Sequence, residues 1–185
     1  MPLTLRPAAD ADLPFLRELF ASTRPEFGLL PEPMRTALLD AQFEGRRGAY
    51  AAAHPNGRDQ IVEEDGRPVG RLLLDDAVAA RTLVDIALVP DVRGRGLGEA
   101  ILRRVIEESP APTVKLSVAH GSPAARLYRR LGFVETGGGG VYSAMECAAA
   151  PGPPQTSPIR VPVRDTVSAP GSGSGGIPGE TPERL

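Results

Sequence analysis

The chain has 185 residues, 41% hydrophobic and 24% charged, with a formal net charge of −2, the make-up of a soluble globular protein. The absence of any basic run and the 4% aromatic content point away from nucleic acid as a partner. One cysteine excludes an internal disulfide, two distant histidines (His54 and His120) lack the spacing of metal ligands, and no apolar stretch approaches the roughly 20 residues of a membrane helix. With no basic-then-apolar signal at the start either, the expectation is a cytoplasmic protein without a metal.

Leu3-Thr4-Leu5-Arg6 reads as a short opening strand. Asp10 or Asp12 caps a helix whose apolar side is Leu13, Leu16, Leu19 and Phe20. A loop through Arg24–Gly28 leads to a second helix over about residues 32–46, with Met34, Ala37, Leu38 and Ala41 expected to face inward. Two strands, 60–64 and 67–74, flank Asp65-Gly66, a hairpin turn signal. A long strand at 82–89 and a helix at 96–108 follow, then the strand Val114–Val118. Ser122 caps the next helix, with Pro123 at its first position and Gly132 just past its end. Phe133–Glu135 and Val141–Met145 form a last hairpin around the glycines 137–140. Residues 148–185 contain 8 prolines, 6 glycines and no aromatic side chain. Such a segment buries too little apolar surface to offset its ordering entropy, which predicts a folded domain over 1–147 and a disordered tail.

The most informative stretch is the junction of strand and helix at 84–105. The strand ends in a turn containing Arg93, Gly94, Arg95, Gly96 and Gly98, and Leu97, Ile101 and Val105, joined by Leu102 and Ile106, give the following helix one buried face. Glycines allow close approach of the backbone, amides at a helix start lack intrahelical partners, and two arginines add positive charge. These features suit a diphosphate. The spacing is not that of a P-loop, because Glu99-Ala100 stands where Lys-Ser/Thr is needed, nor of a dinucleotide fingerprint, whose third glycine is replaced by Glu99.

The order Arg-x-x-Gly-x-Gly from Arg93 to Gly98, after Ala87-Leu88-Val89-Pro90, resembles the acyl-CoA signature of the GCN5-related N-acetyltransferases (GNAT family). Leu127-Tyr128-Arg-Arg-Leu131-Gly132-Phe133 is similar to that family's second motif, at the expected distance downstream. The resemblance spans roughly residues 3–147 and is strongest from 82 to 133. It implies an α/β (α+β) fold with a mixed, mostly antiparallel sheet and helices on both faces. It also implies acetyl-CoA as acetyl donor and an amine on a small molecule or peptide as acceptor, with a homodimer as a common assembly.

By the same resemblance, the strands at 82–89 and 114–118 part to admit the pantetheine arm. Main-chain groups of Ile86, Ala87 and Leu88 bond that arm, one N–H near Leu88 faces the thioester oxygen, and Arg93, Gly94, Arg95, Gly96, Leu97, Gly98 and Glu99 hold the diphosphate. Tyr128 matches a tyrosine that protonates the departing thiolate, for which a phenol of pKa near ~10 is suited; the alternative is an aromatic that packs its helix. Asp85 is an acid within an apolar strand, which points either to a base for the amine or to an ion pair with a nearby arginine. Thr82 and Ser117 stand at family positions for a base and cannot serve, which leaves a chain of waters as another route. Gly121 replaces an asparagine that contacts the arm in many relatives, and Ser122 or His120 is the candidate substitute. Glu26, Glu32, Asp40 and Glu44 lie where an acceptor is expected and would favour a cationic amine. A non-catalytic acyl-CoA-binding module of the same fold is the alternative to an enzyme.

Overall fold

The computed structural model describes residues 2–149 and the pair 159–160. The elements follow the order expected: β1 (Pro2–Pro7), α1 (Leu13–Ser22), α2 (Met34–Ala53), β2 (Arg58–Glu64), β3 (Arg67–Asp76), β4 (Arg81–Leu88), α3 (Leu97–Glu107), β5 (Thr113–Ala119), α4 (Ala124–Arg130), β6 (Val134–Gly139) and β7 (Tyr142–Ala148). A two-residue strand, β8 (Ile159–Arg160), pairs with Leu3 and Pro2 of β1. The sheet order is β6-β7-β5-β4-β3-β2-β1-β8, and every pairing is antiparallel except β4 with β5.

Turn chemistry explains the connections. Asp65 and Gly66 both take positive φ, 52° and 77°, as the tight turn between β2 and β3 requires. Ser122 Oγ accepts the Ala124 N–H at 3.2 Å at the start of α4, and Gly132, with φ of 92°, closes its end. Three of the four glycines 137–140 lie within β6, so the strand is longer and the turn tighter than expected, at Gly140-Val141. β7 also runs one residue past the domain boundary expected at 147, and the Ala149 N–H bonds the Pro112 carbonyl at 2.8 Å. Apart from 159–160, the tail from residue 150 onward, with its expected disorder, lies outside the described residues.

One face of the sheet is covered by α3 and α4. Leu97, Ile101, Leu102 and Val105 of α3 pack there with Leu72, Leu83, Ile86, Leu88 and Val118 of the strands. Truncating a residue as enclosed as Ile101 would cost about 2–5 kcal/mol. The other face is covered by α1 and α2, where Leu16, Phe20, Phe43 and Ile61 cluster and the rings of Phe20 and Phe43 meet at 5.8 Å.

The inward face of α2 departs from the expectation. Met34, Ala37, Leu38 and Ala41 are exposed, and Leu39, Phe43, Arg46 and Tyr50 face the sheet. Two of those four are polar, Arg46 bonding Asp85 of the sheet and the Tyr50 hydroxyl, so an apolar count along α2 selects the wrong stripe. Among the described residues no helix is long and apolar enough to cross a membrane.

Asp12 anchors the N-terminal corner. Its carboxylate receives two bonds of 2.7 Å from Arg6 and one of 2.8 Å from the Ala9 N–H. The Arg6 bonds, followed by the Ala9 bond, lower its pKa from 3.8 to about 2. A depressed carboxylate adds stability above its unfolded pKa and loses it as pH falls through the folded value. Urea midpoints should therefore fall between pH 4 and 2, a drop that Asp12→Asn reduces. An unchanged pH profile in that variant would contradict the assignment.

Candidate active site

β4 and β5 pair over three residues only, Arg81↔Val114, Thr82↔Lys115 and Leu83↔Leu116. Beyond Leu83 they separate: β4 continues along β3 to Leu88, and β5 continues along β7 to Ala119. The cause lies in β4. Leu74 pairs with Leu83 and Leu73 with Asp85, so Val84 is an extra residue, a bulge that bends the strand where it leaves β5.

The Val89 N–H bonds the Val69 carbonyl of β3 at 2.9 Å. Main-chain groups alternate sides along a strand, so those of Ala87 also face β3, whereas those of Ile86 and Leu88 face the gap. Of the three residues expected to bond the arm, Ile86 and Leu88 thus turn their main chains to the gap, and Ala87 contributes its side chain to the opposite sheet face. Behind this segment β3 carries Gly70, where an added Cβ would lie 2.5 Å from the Ala87 carbonyl oxygen. Only glycine lets β3 approach this closely.

The gap ends at the start of α3. Gly94 and Gly96 adopt φ of 74° and 86°, and no side chain caps the helix. The Ala100 N–H bonds the Gly96 carbonyl at 3.1 Å, and the amides of the helix's first turn point out of its N-terminal end. Glu99, unfavourable beside an anion, directs its carboxylate to Arg103 at 3.0 Å and Arg130 at 3.4 Å. The two arginines of the loop serve the scaffold. Arg93 Nε donates to the Leu88 carbonyl at 2.8 Å and its Nη2 to Ser22 Oγ at 3.2 Å, tying the loop to β4 and α1. Arg95 makes a two-pronged pair with Glu64, at 2.8 and 3.0 Å. The helix start thus presents main-chain amides, and both loop arginines are bonded to protein groups.

Tyr128 of α4 is completely enclosed, its ring edge-on to Phe133 at 5.6 Å, in the core cluster that holds Ile86, Leu88 and Val118. Asp85 is on the opposite face, where Arg46 bonds one carboxylate oxygen at 2.7 Å and Arg71 the other at 3.1 Å. Arg71 is itself bonded twice by Asp59, at 2.8 and 2.7 Å, and Arg46 Nε donates to the Tyr50 hydroxyl at 2.9 Å. Burial, followed by the charge of Asp85, pushes the Tyr50 phenol up to about 12. With both oxygens held by guanidinium groups, Asp85 forms the ion pair rather than an open base. Arg46, Arg71 and Tyr50 were not anticipated; 39 and 14 residues separate Asp85 from the two arginines, and only the fold reveals the cluster. Among the described residues no group of three or more His, Cys, Asp or Glu side chains is placed to hold a metal.

Comparison with known proteins agrees with this geometry. Residues 56–135 match the family model described as the acetyltransferase (GNAT) domain. A GCN5-like protein acetyltransferase, Rv2170, of Mycobacterium tuberculosis is 40% identical over 57 residues, a match that spans 29% of this chain and 28% of that protein. A paiA N-acetyltransferase from Thermoplasma acidophilum, solved with coenzyme A, superposes with a TM-score of 0.61 over 80% of this chain and 99% of its own, at 16% identity. A Corynebacterium glutamicum protein described as histone acetyltransferase HPA2 and related acetyltransferase gives 0.58 at 26% identity, covering 81% and 98% of the two chains. A spermidine N-acetyltransferase from Vibrio cholerae, in complex with CoA and spermine, gives 0.57 at 22% identity, covering 80% and 96%. Motifs, fold and family model point the same way: residues 56–135 match a GNAT acetyltransferase domain, and the described fold is that of solved acetyltransferases.

Replacing Gly96 by glutamate tests the cradle. The left-handed backbone makes any side chain cost about 1–2 kcal/mol, and the carboxylate would meet the diphosphate. Calorimetry with CoA should show affinity at least about tenfold weaker while the protein still melts cooperatively. Unaltered affinity would place the diphosphate elsewhere.

Proposed function

We propose that this protein moves the acetyl group of acetyl-CoA to an amine by direct transfer in a ternary complex. The observation that carries the reading is the gap beyond Leu83, bordered by the main-chain groups of Ile86 and Leu88 and leading to the uncapped start of α3. A pantetheine arm in that gap adds to β4 like an extra strand, and the amides of Leu97, Gly98 and Glu99 meet the diphosphate.

The donor supplies a thioester carbonyl. The amine nitrogen attacks the carbonyl carbon, the C–N bond forms as the C–S bond breaks, the nitrogen loses one proton, and the sulfur gains one. The Leu88 N–H, a donor turned to the gap, stabilises negative charge on the carbonyl oxygen. Tyr128 donates the proton to sulfur, and the amine proton leaves through water. Asp85 is a positioning residue that orients Arg46 and Arg71. The enzyme works in the cytoplasm without a metal, and neither nucleic acid nor membrane is a partner.

Thiol release measured over a panel of amines tests this reading. Tyr128→Phe should lower kcat by about a hundredfold with little change in KM for acetyl-CoA. Equal turnover in the variant would remove Tyr128 from proton transfer. Tight CoA binding with no release for any amine would favour the non-catalytic module.

A further inference from the structure

We propose that the acceptor carries a carboxylate beside its amine, and that Arg46 binds this carboxylate; the inference rests on the acetyl-transfer reading. A narrow cavity of about 30 Å³ lies between α1, α2 and the face of β4 that carries Asp85 and Ala87. It therefore abuts the segment whose main chain borders the gap. Its apolar wall includes Leu16, Phe20 and Phe43, and its charged lining is Arg46, Arg47, Arg71 and Asp85, three cations to one anion. The volume accommodates about two waters, or one carboxylate.

The three arginines differ in what holds them. Arg47 has Glu44 at 3.0 Å and Arg71 has Asp59 at 2.7 Å, but Arg46 has no carboxylate of its own and shares Asp85 with Arg71. Its Nε is used by Tyr50 and its Nη2 by Asp85; its Nη1 bonds no group among the described residues. The guanidinium also lies 5.0 Å from the Tyr50 ring centroid and 5.8 Å from that of Phe20. Clamped in this way, Arg46 loses little freedom when it receives an anion.

The acids that the sequence offered to a cationic acceptor are largely spent. Glu32 pairs with Arg35, Asp40 with Arg17 and Glu44 with Arg47. A polyamine entering this cavity would meet guanidinium groups, whereas a carboxylate would find a positioned donor.

Thiol release with free amino acids, their primary amides and spermidine tests the proposal. Free acids should be preferred over the matched amides by about tenfold or more in kcat/KM, although the amine of an amide loses its proton more readily. Arg46→Gln should erase that preference while calorimetry shows unchanged CoA affinity. Preference for amides or spermidine, or an acid preference that survives in a folded Arg46→Gln, would overturn it with acetyl transfer intact. The comparison of acids with amides on the unaltered protein decides the matter even if the variant fails to fold. Release by no amine of any charge would instead defeat the acetyl-transfer reading, and this proposal with it.

Discussion

The extra residue at Val84 is the constraint on which the rest of the site depends. An antiparallel neighbour holds β4 on one side throughout, and a parallel neighbour holds it on the other for three residues. Once the bulge bends β4 away, β5 remains with β7, and the sheet divides into two halves joined at the Leu83–Leu116 end. The Ile86 main chain and the Leu88 N–H face the gap rather than a neighbouring strand, a cost to the isolated protein, because an unpaired strand edge seeks a partner. In the proposed complex an extended ligand arm supplies one. A structural irregularity of one residue thus opens a strand edge without any dedicated side chain.

The same economy governs the cradle. On the proposed reading, main-chain amides receive the diphosphate, while Arg93 and Arg95 fix the loop, one to the end of β4 and α1 and the other to Glu64. Arg93 also occupies the Leu88 carbonyl, so the strand end and the loop move as one unit. On the other sheet face, Asp85, Arg46, Arg71, Asp59 and Tyr50 form a linked polar network beneath α2. A network of this kind is stable only when its members are satisfied together, which ties the position of α2 to β3 and β4.

Much of this was legible in the sequence where local chemistry dictates conformation. Gly94, Gly96 and Gly132 mark positive φ, Asp65-Gly66 marks the hairpin, and the apolar spacing of α3 marks its buried face. The inward side of α2 was not legible, because Arg46 and Tyr50 read as solvent-facing until their partners on other strands are known. Nor does any residue type announce the bulge, since Val84 is an ordinary strand former and only the pairing register shows it to be surplus. The partners of Arg93 and Arg95 are equally hidden, at separations of 71 and 31 residues. Family resemblance supplied the splayed strands and the tyrosine; the pairing of Asp85 with two arginines comes from the fold.

A crystal structure with bound CoA tests the central claim most directly. The account predicts the diphosphate on the amides at the start of α3, with the pantetheine arm between β4 and β5 and bonded to Ile86 and Leu88. CoA bound at any other surface, or a β4–β5 gap closed by direct strand pairing beyond Leu83, would contradict it.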